Sequence, residues 1–119
     1  MEERPVKPDT LVVVWSSGDS EVATKMAFMY TLNAKRKGWW KHVILIVWGP
    51  SAKLLTEDGD LQDRIEEMRE AGVDLLACKA CSDSYEVSES LEKLGVEVKY
   101  MGEPFTQMLK DECMRVITF

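Results

Sequence analysis

Short runs of apolar residues alternate along this chain with longer segments in which apolar residues recur at spacings of three and four. Continuous apolar runs are typical of strands buried on both faces of a parallel sheet. The spaced segments are typical of helices that bury one face. The pattern predicts five strands, at residues 11–15, 43–48, 73–78, 96–100 and 115–119. Strands that alternate with helices through short connections predict a three-layer α/β/α sandwich, although the pattern does not define the strand order.

The segments between the strands carry signals of helix ends. The turn at residues 16–20 offers several N-caps to a first helix that runs toward Lys37. The predicted apolar stripe of this helix consists of Val22, Met26, Met29 and Tyr30. Asp60 and Ser88 are expected to cap two later helices, which end at Gly72 and Gly95. Shorter helices are predicted after Gly49, from the cysteines to about Tyr85, and from Pro104 to Lys110.

Length and charge limit the classes of function. A chain of 119 residues fits one domain, which we place at residues 10–119 behind a flexible polar leader at residues 1–9. The net charge of −6 disfavours nucleic acid or an anionic membrane surface as a partner. The longest aliphatic run, residues 43–48, is far shorter than the roughly 20 residues that cross a bilayer. The first residues lack a secretory apolar region, so we expect a cytoplasmic protein.

The candidate chemistry lies where the third strand ends, at Cys78 and Cys81. Ligands and reactive groups collect beyond the carboxyl ends of strands in open α/β sheets. A helix that starts there, with Lys79 beside the thiol, favours the nucleophilic thiolate of Cys78. Cys81 lies one helical turn further on and is placed to resolve an oxidised or persulfidated Cys78 by forming a disulfide. Both residues can also be read as small buried apolar side chains.

The segment from Ala77 to Tyr85, with sequence ACKACSDSY, resembles the cysteine segment of the DsrE/DsrF-like family, small sulfur-relay proteins related to the Dsr and Tus systems. The segments at residues 46–52, 95–102 and 116–119 also resemble that family. The resemblance implies a DsrE/F-like, flavodoxin-like domain with a parallel five-stranded sheet, which assembles into trimers or hexamers. It also implies that Cys78 carries sulfur as a persulfide. The chain departs from the family at Glu86, where relatives commonly have Gly, and at Cys81, which many relatives lack.

The leading hypothesis is therefore a sulfur carrier, or possible sulfurtransferase, that binds sulfane sulfur on Cys78 and passes it to an acceptor thiol. Its partners would be sulfur donor and acceptor proteins, and it would need no cofactor. One alternative is a redox protein that cycles Cys78 and Cys81 between dithiol and disulfide. Another is a noncatalytic oligomeric interaction module.

Other features carry weaker signals. Two cysteines are too few for a structural zinc site, and His42 has no identifiable partner, so no metal is expected. The acidic turn at residues 16–20 opposes a phosphate or flavin there. Cys113 is read as a packing residue, and Met26, Met29 and Met68 as core filler. Trp39 and Trp40 belong either to the core or to a subunit contact.

Overall fold

A computed structural model describes residues 7–119, which form one five-stranded parallel sheet in the order β4-β3-β2-β1-β5. The predicted α/β architecture is confirmed. The strands are β1 Thr10–Trp15, β2 His42–Val47, β3 Asp74–Cys78, β4 Glu97–Lys99 and β5 Met114–Thr118. The order differs from the 2-1-3-4-5 of flavodoxin. The likeness to flavodoxin therefore extends to the layers of the fold and not to its connectivity.

Helices connect every pair of successive strands. They are α1 Ser20–Val22, α2 Phe28–Arg36, α3 Pro50–Glu57, α4 Gly59–Ala71, α5 Lys79–Ser84, α6 Ser88–Lys93 and α7 Gly102–Lys110. A π-helical turn, Ala23–Ala27, joins α1 to α2. Within residues 7–119, no helix is both long and apolar enough to cross a membrane.

The direction of the connections decides which face each helix covers. From β1 to β4 each new strand is added on the same side of its predecessor, whereas the chain then returns across the sheet to place β5 beside β1. Right-handed crossovers require the returning helix to lie on the opposite face. Accordingly, buried residues of α2, α3, α4 and α6 pack in one core with Leu45. Two side chains of α7, Phe105 and Met108, pack in the second core with Ile46.

The first predicted helix has a different buried face from the one expected. Met26 and Met29 are 51% and 53% exposed, and the core side of the helix is formed by Ala23, Ala27 and Phe28. The reason is the π-helical turn, in which the amide of Phe28 donates to the carbonyl of Ala23 and so inserts one residue into the α-helical repeat. The prediction that Met26 and Met29 fill the core is wrong, whereas Met68 is fully buried as expected.

Two helix caps also differ from the predictions. Asp58, not Asp60, caps α4, since its carboxylate accepts the amides of Asp60 and Leu61. Val87 is the N-cap of α6, and the Ser88 hydroxyl donates instead to the carboxylate of Asp83 at 2.5 Å. At α4 a neighbouring carboxylate caps the helix, and at α6 the expected capping hydroxyl is bonded elsewhere, neither of which spacing alone reveals.

The predicted leader is described only in part. Residues 1–6 lie outside the described residues. Asp9 is joined to the sheet, because its amide donates to the Cys113 carbonyl at 2.9 Å and its carbonyl accepts the His42 amide at 3.1 Å.

Candidate functional site

Cys78 is both the last residue of β3 and the N-cap of α5. Its backbone is extended, with φ −74° and ψ 115°, so the chain turns from strand to helix directly at the thiol. The side chain is 6% exposed and packs in the core beneath α7. The sequence-based placement of Cys78 at the carboxyl end of a buried strand therefore agrees with the structure.

The Cys81 sulfur lies beside the Cys78 sulfur at the carboxyl edge of the sheet. The groups that act on the Cys81 thiol are the Cys78 side chain, the backbone amide of Gly49 and the side chain of Trp48. Burial raises the pKa of the Cys81 thiol, the Gly49 amide opposes that effect, and Cys78 adds to it. No disulfide joins the two cysteines in this structure. The two thiols therefore share one site in which Cys81 holds its proton at neutral pH.

The loop after β2 completes this site, and reasoning from the sequence did not identify it as part of the chemistry. Val47 is paired with Ala77 of β3, so Trp48 and Gly49 follow β2 beside Cys78. Gly49 has φ 75° and ψ −141°, a conformation essentially restricted to glycine. The sequence signal for this contact was that Trp48 and Gly49 follow one strand and Cys78 ends the next. Placing them beside each other required knowledge of the strand order.

Ser51 fixes the loop that presents the Gly49 amide. Its buried hydroxyl donates to the carbonyl of Trp15 at 2.5 Å and accepts the amide of Trp48 at 3.2 Å. One side chain thus ties the end of β1 to the end of β2. The position of the loop relative to the cysteines is determined by the sheet and not by loop flexibility.

Helix α7 covers the site from the second face of the sheet. The rings of Trp48 and Phe105 meet edge to face with their centroids 5.1 Å apart. Met101, which precedes the helix, is buried in the same core as Cys78. Apolar side chains therefore cover Cys78 on this face of the sheet.

Lys79 is engaged with groups other than the thiols. Its ammonium binds the Asp83 carboxylate at 2.8 Å and lies 5.7 Å from the centre of the Tyr100 ring. The hydrogen bond to Asp83 raises the pKa of Lys79. Asp83 offsets the charge that Lys79 was expected to offer to Cys78, so the support of the thiolate by Lys79 stays a prediction.

A hydrogen-bonded chain holds the loop that follows the cysteines. Asp83 binds Lys79 and accepts the hydroxyl of Ser88, which lies 2.6 Å from the hydroxyl of Ser82. The bonds from Lys79 and Ser88 lower the pKa of Asp83. Glu86 then adopts φ 58°, the left-handed conformation that glycine favours. The family departure noted at Glu86 thus falls on a residue whose backbone conformation suits glycine.

Other sequence-derived candidates lie away from the cysteine pair. Cys113 immediately precedes β5 and His42 begins β2, so both lie at the opposite edge of the sheet. The amides of Ser16 and Ser17, in the turn after β1, both donate to the Phe119 carbonyl. These two donors are therefore used in hydrogen bonds within the chain. Among residues 7–119, no three His, Cys, Asp or Glu side chains are grouped as a metal site would require.

Fold and site together define a small α/β protein with a parallel sheet and two thiols at its carboxyl edge. The sequence of residues 9–119 matches the model of the DsrE/DsrF-like family, and the chain belongs to that family. The family is associated with sulfur relay. No significant match was found among curated proteins.

Two solved structures are similar over nearly the whole chain. A conserved protein of unknown function from Bacteroides thetaiotaomicron, BT1422, is 36% identical, with a TM-score of 0.89 over 93% of this chain and 95% of that one. The YchN protein from Escherichia coli is 17% identical, with a TM-score of 0.70 over 94% of this chain and 99% of that one. The likeness to YchN supports the fold alone.

Proposed function

We propose that this protein is a sulfur carrier that holds sulfane sulfur as a persulfide on Cys78. The observation that carries the proposal is the placement of Cys78 at the end of β3, buried at the sheet edge, with the Cys81 thiol and the Gly49 amide close enough to interact. Membership of a family associated with sulfur relay supports it. The donors and acceptors would be thiol proteins, and the sulfur would travel on the protein without a cofactor.

Loading is a thiol exchange at sulfur. The Cys78 thiolate attacks the outer sulfur of a donor persulfide, so the new S–S bond forms as the donor S–S bond breaks and the donor leaves as a thiolate. Cys81, whose pKa is raised by burial, keeps its proton in this step and would donate it in a hydrogen bond to the sulfur of Cys78.

Unloading is the same exchange in the other direction. An acceptor thiolate attacks the outer sulfur of the Cys78 persulfide, which becomes the acceptor persulfide, and Cys78 is released as a thiolate. No net oxidation occurs in the cycle.

Intact-mass measurement tests the assignment of Cys78. Protein incubated with glutathione persulfide should gain the mass of one sulfur atom, and dithiothreitol should remove it. Cys78→Ser should abolish the gain, whereas the matched variant Cys113→Ser should retain it. Equal gain in Cys78→Ser and in the wild type would contradict the proposal.

A dithiol redox function is the second candidate, and the contact between the two sulfurs favours it. A Cys78–Cys81 disulfide would form by loss of two electrons and two protons to an oxidant such as oxidised glutathione. Sulfide release separates the candidates, because a loaded carrier releases sulfide under dithiothreitol and a protein disulfide does not.

A further inference from the structure

Four of the large apolar side chains exposed on this protein line a single groove. The groove has a volume of about 420 Å³ and lies between the first helix, Trp39 and strand β5. It is on the face of the sheet opposite to Cys78, since Phe119 packs against the core beneath α2. Its main lining residues are Met26, Met29, Tyr30, Trp39, Ile117 and Phe119.

The helix irregularity creates this surface. The π-helical turn directs Ala23 and Ala27 to the core and leaves Met26 and Met29 exposed. π-Helical turns often occur at functional sites, and methionine side chains adapt their shape to different partners. The groove is therefore a consequence of how the helix is built and not of an incomplete core.

The aromatic wall of the groove is fixed before any partner binds. The indole N–H of Trp40 donates to the hydroxyl of Tyr30 at 3.2 Å. The rings of Tyr30 and Trp39 lie with their centroids 6.0 Å apart. Trp39 is 55% exposed, although tryptophan and tyrosine usually bury most of their surface. Exposed aromatic and methionine side chains of this kind are enriched in the centres of protein interfaces.

The charges at the groove differ in sign from the charge of the protein. Its lining includes Lys25 and no Asp or Glu. The ammonium of Lys37 lies 5.6 Å from the centre of the Trp39 ring. Among the residues that the structure describes, Lys25 and Lys37 take part in no salt bridge. A protein with net charge −6 thus presents an apolar groove flanked by two unneutralised lysines.

We propose that this groove docks a partner protein through an amphipathic segment whose apolar side chains are flanked by Asp and Glu. The apolar side chains would pack against Met29 and Trp39, and the carboxylates would pair with Lys25 and Lys37. A twofold contact between copies of this chain through the groove would instead bring like charges together, because the same patch faces itself. A contact in which the groove meets a different surface of another copy, as in a cyclic trimer, is the outcome that the sedimenting mass tests. The proposal is independent of the sulfur chemistry, since the groove and Cys78 lie on opposite faces.

Two synthetic helical peptides test the proposal. Both carry Leu at spacings of three and four, and the remaining positions are Glu in one peptide and Lys in the other. Fluorescence anisotropy should show that the wild type binds the Glu peptide at least about tenfold more tightly than the Lys peptide. Trp39→Ala should weaken binding of the Glu peptide by about tenfold or more. The double variant Lys25→Glu, Lys37→Glu should reverse the preference between the peptides.

Matched variants outside the groove serve as controls. Leu109→Ala removes another exposed apolar side chain, and Lys53→Glu reverses a charge on α3, so both should bind the Glu peptide as the wild type does. Equal binding of the two peptides, or an equal loss in the control variants, would overturn the proposal. A fall in the sedimenting mass of the protein on Trp39→Ala would also overturn it, because a second copy would then occupy the groove. Urea unfolding of each variant checks that the fold is retained.

Discussion

The thiol of Cys81 interacts with the thiol of Cys78, one helical turn earlier in the chain, strongly enough to raise its own pKa. Burial is the main cause of the raised pKa of Cys81, and its contact with Cys78 adds to the effect. Under the proposed function, Cys81 keeps its proton and later attacks, whereas Cys78 carries the sulfur.

Replacing Cys81 by Ser should lengthen the life of a persulfide on Cys78. In the wild type, Cys81 attacks the inner sulfur, the Cys78–Cys81 bond forms, and the outer sulfur leaves as hydrogen sulfide. Without Cys81 this route is closed. Loaded protein, freed from donor, is followed by intact mass and by sulfide release. Cys113→Ser is the control and should decay as the wild type does, while unchanged decay in Cys81→Ser would exclude a resolving role.

The pH at which Cys81 becomes reactive should be higher than that of a free cysteine. In a Cys78→Ser, Cys113→Ser background, burial still raises the pKa of Cys81, so the iodoacetamide rate should inflect above the value near 8.5 of free cysteine. The same variant in denaturant should inflect near that value. Identical inflections in the folded and unfolded protein would show that burial does not act on this thiol.

The raised pKa of Cys81 also makes the free energy of unfolding depend on pH in alkaline solution. Between the unfolded and the folded pKa of Cys81 the unfolded state releases a proton that the folded state keeps. The contribution of the protonated Cys81 thiol to the free energy of unfolding is thus fully present below about pH 8.5, and it is lost as the pH rises through the pKa of Cys81 in the folded state. We expect the free energy of unfolding to fall more steeply with pH in the wild type than in Cys81→Ser.

Most of the fold could be predicted from the sequence because the three central strands are dominated by apolar runs and all five strands are bounded by turn residues. The burial of Leu61, Ile65 and Met68 follows from their spacing on α4. The buried face of the first helix could not be predicted in this way, because spacing rules assume an unbroken α-helical repeat and the π-helical turn at Ala23–Ala27 interrupts it. Short polar residues near a helix start, such as Asp58 and Asp60, compete as caps and are not separated by spacing alone.

The candidate site could be predicted only as far as it is local in sequence. Cys78 and Cys81 belong to one strand–helix junction, so their proximity follows from periodicity. Trp48 and Gly49 reach Cys81 because β2 lies beside β3, a relationship that exists only once the strand order is known. The engagement of Lys79 by Asp83, four residues later, is a pairing that helical spacing permits but does not require.

We expect the protein to form a homo-oligomer, most simply a trimer or hexamer, as the resemblance to its family implies. The exposed large apolar side chains outside the groove, Tyr85, Tyr100 and Leu109, are available for such a contact. Sedimentation equilibrium should give a mass three or six times that of the chain at micromolar concentration. A monomer under these conditions would contradict this prediction, whereas Leu109→Glu would locate the contact if it lowers the mass.

Replacing Glu86 by Gly should stabilise the protein. The helices α2, α4, α5 and α6 end in the same hydrogen-bonding motif, and only at the end of α5 is the position that favours glycine occupied by another residue, Glu86. In each motif the amide after the residue with positive φ donates to the carbonyl five residues earlier, as the Val87 amide does to the Ser82 carbonyl at 2.8 Å. The residue with positive φ in these motifs is Gly38, Gly72, Glu86 or Gly95. A side chain in this conformation is strained where glycine is not.

The expected gain for Glu86→Gly is up to about 1 kcal/mol, since relief of strain is partly offset by the greater chain entropy of unfolded glycine. Urea unfolding measures it. Glu89→Gly is the matched control, because it places glycine inside α6 and should lower stability by about 1 kcal/mol. Glu86→Ala separates backbone from charge, since it removes the carboxylate but keeps the unfavourable conformation. If Glu86→Ala stabilises as much as Glu86→Gly, the cost at this position comes from a negative charge at the end of α5 and not from its backbone.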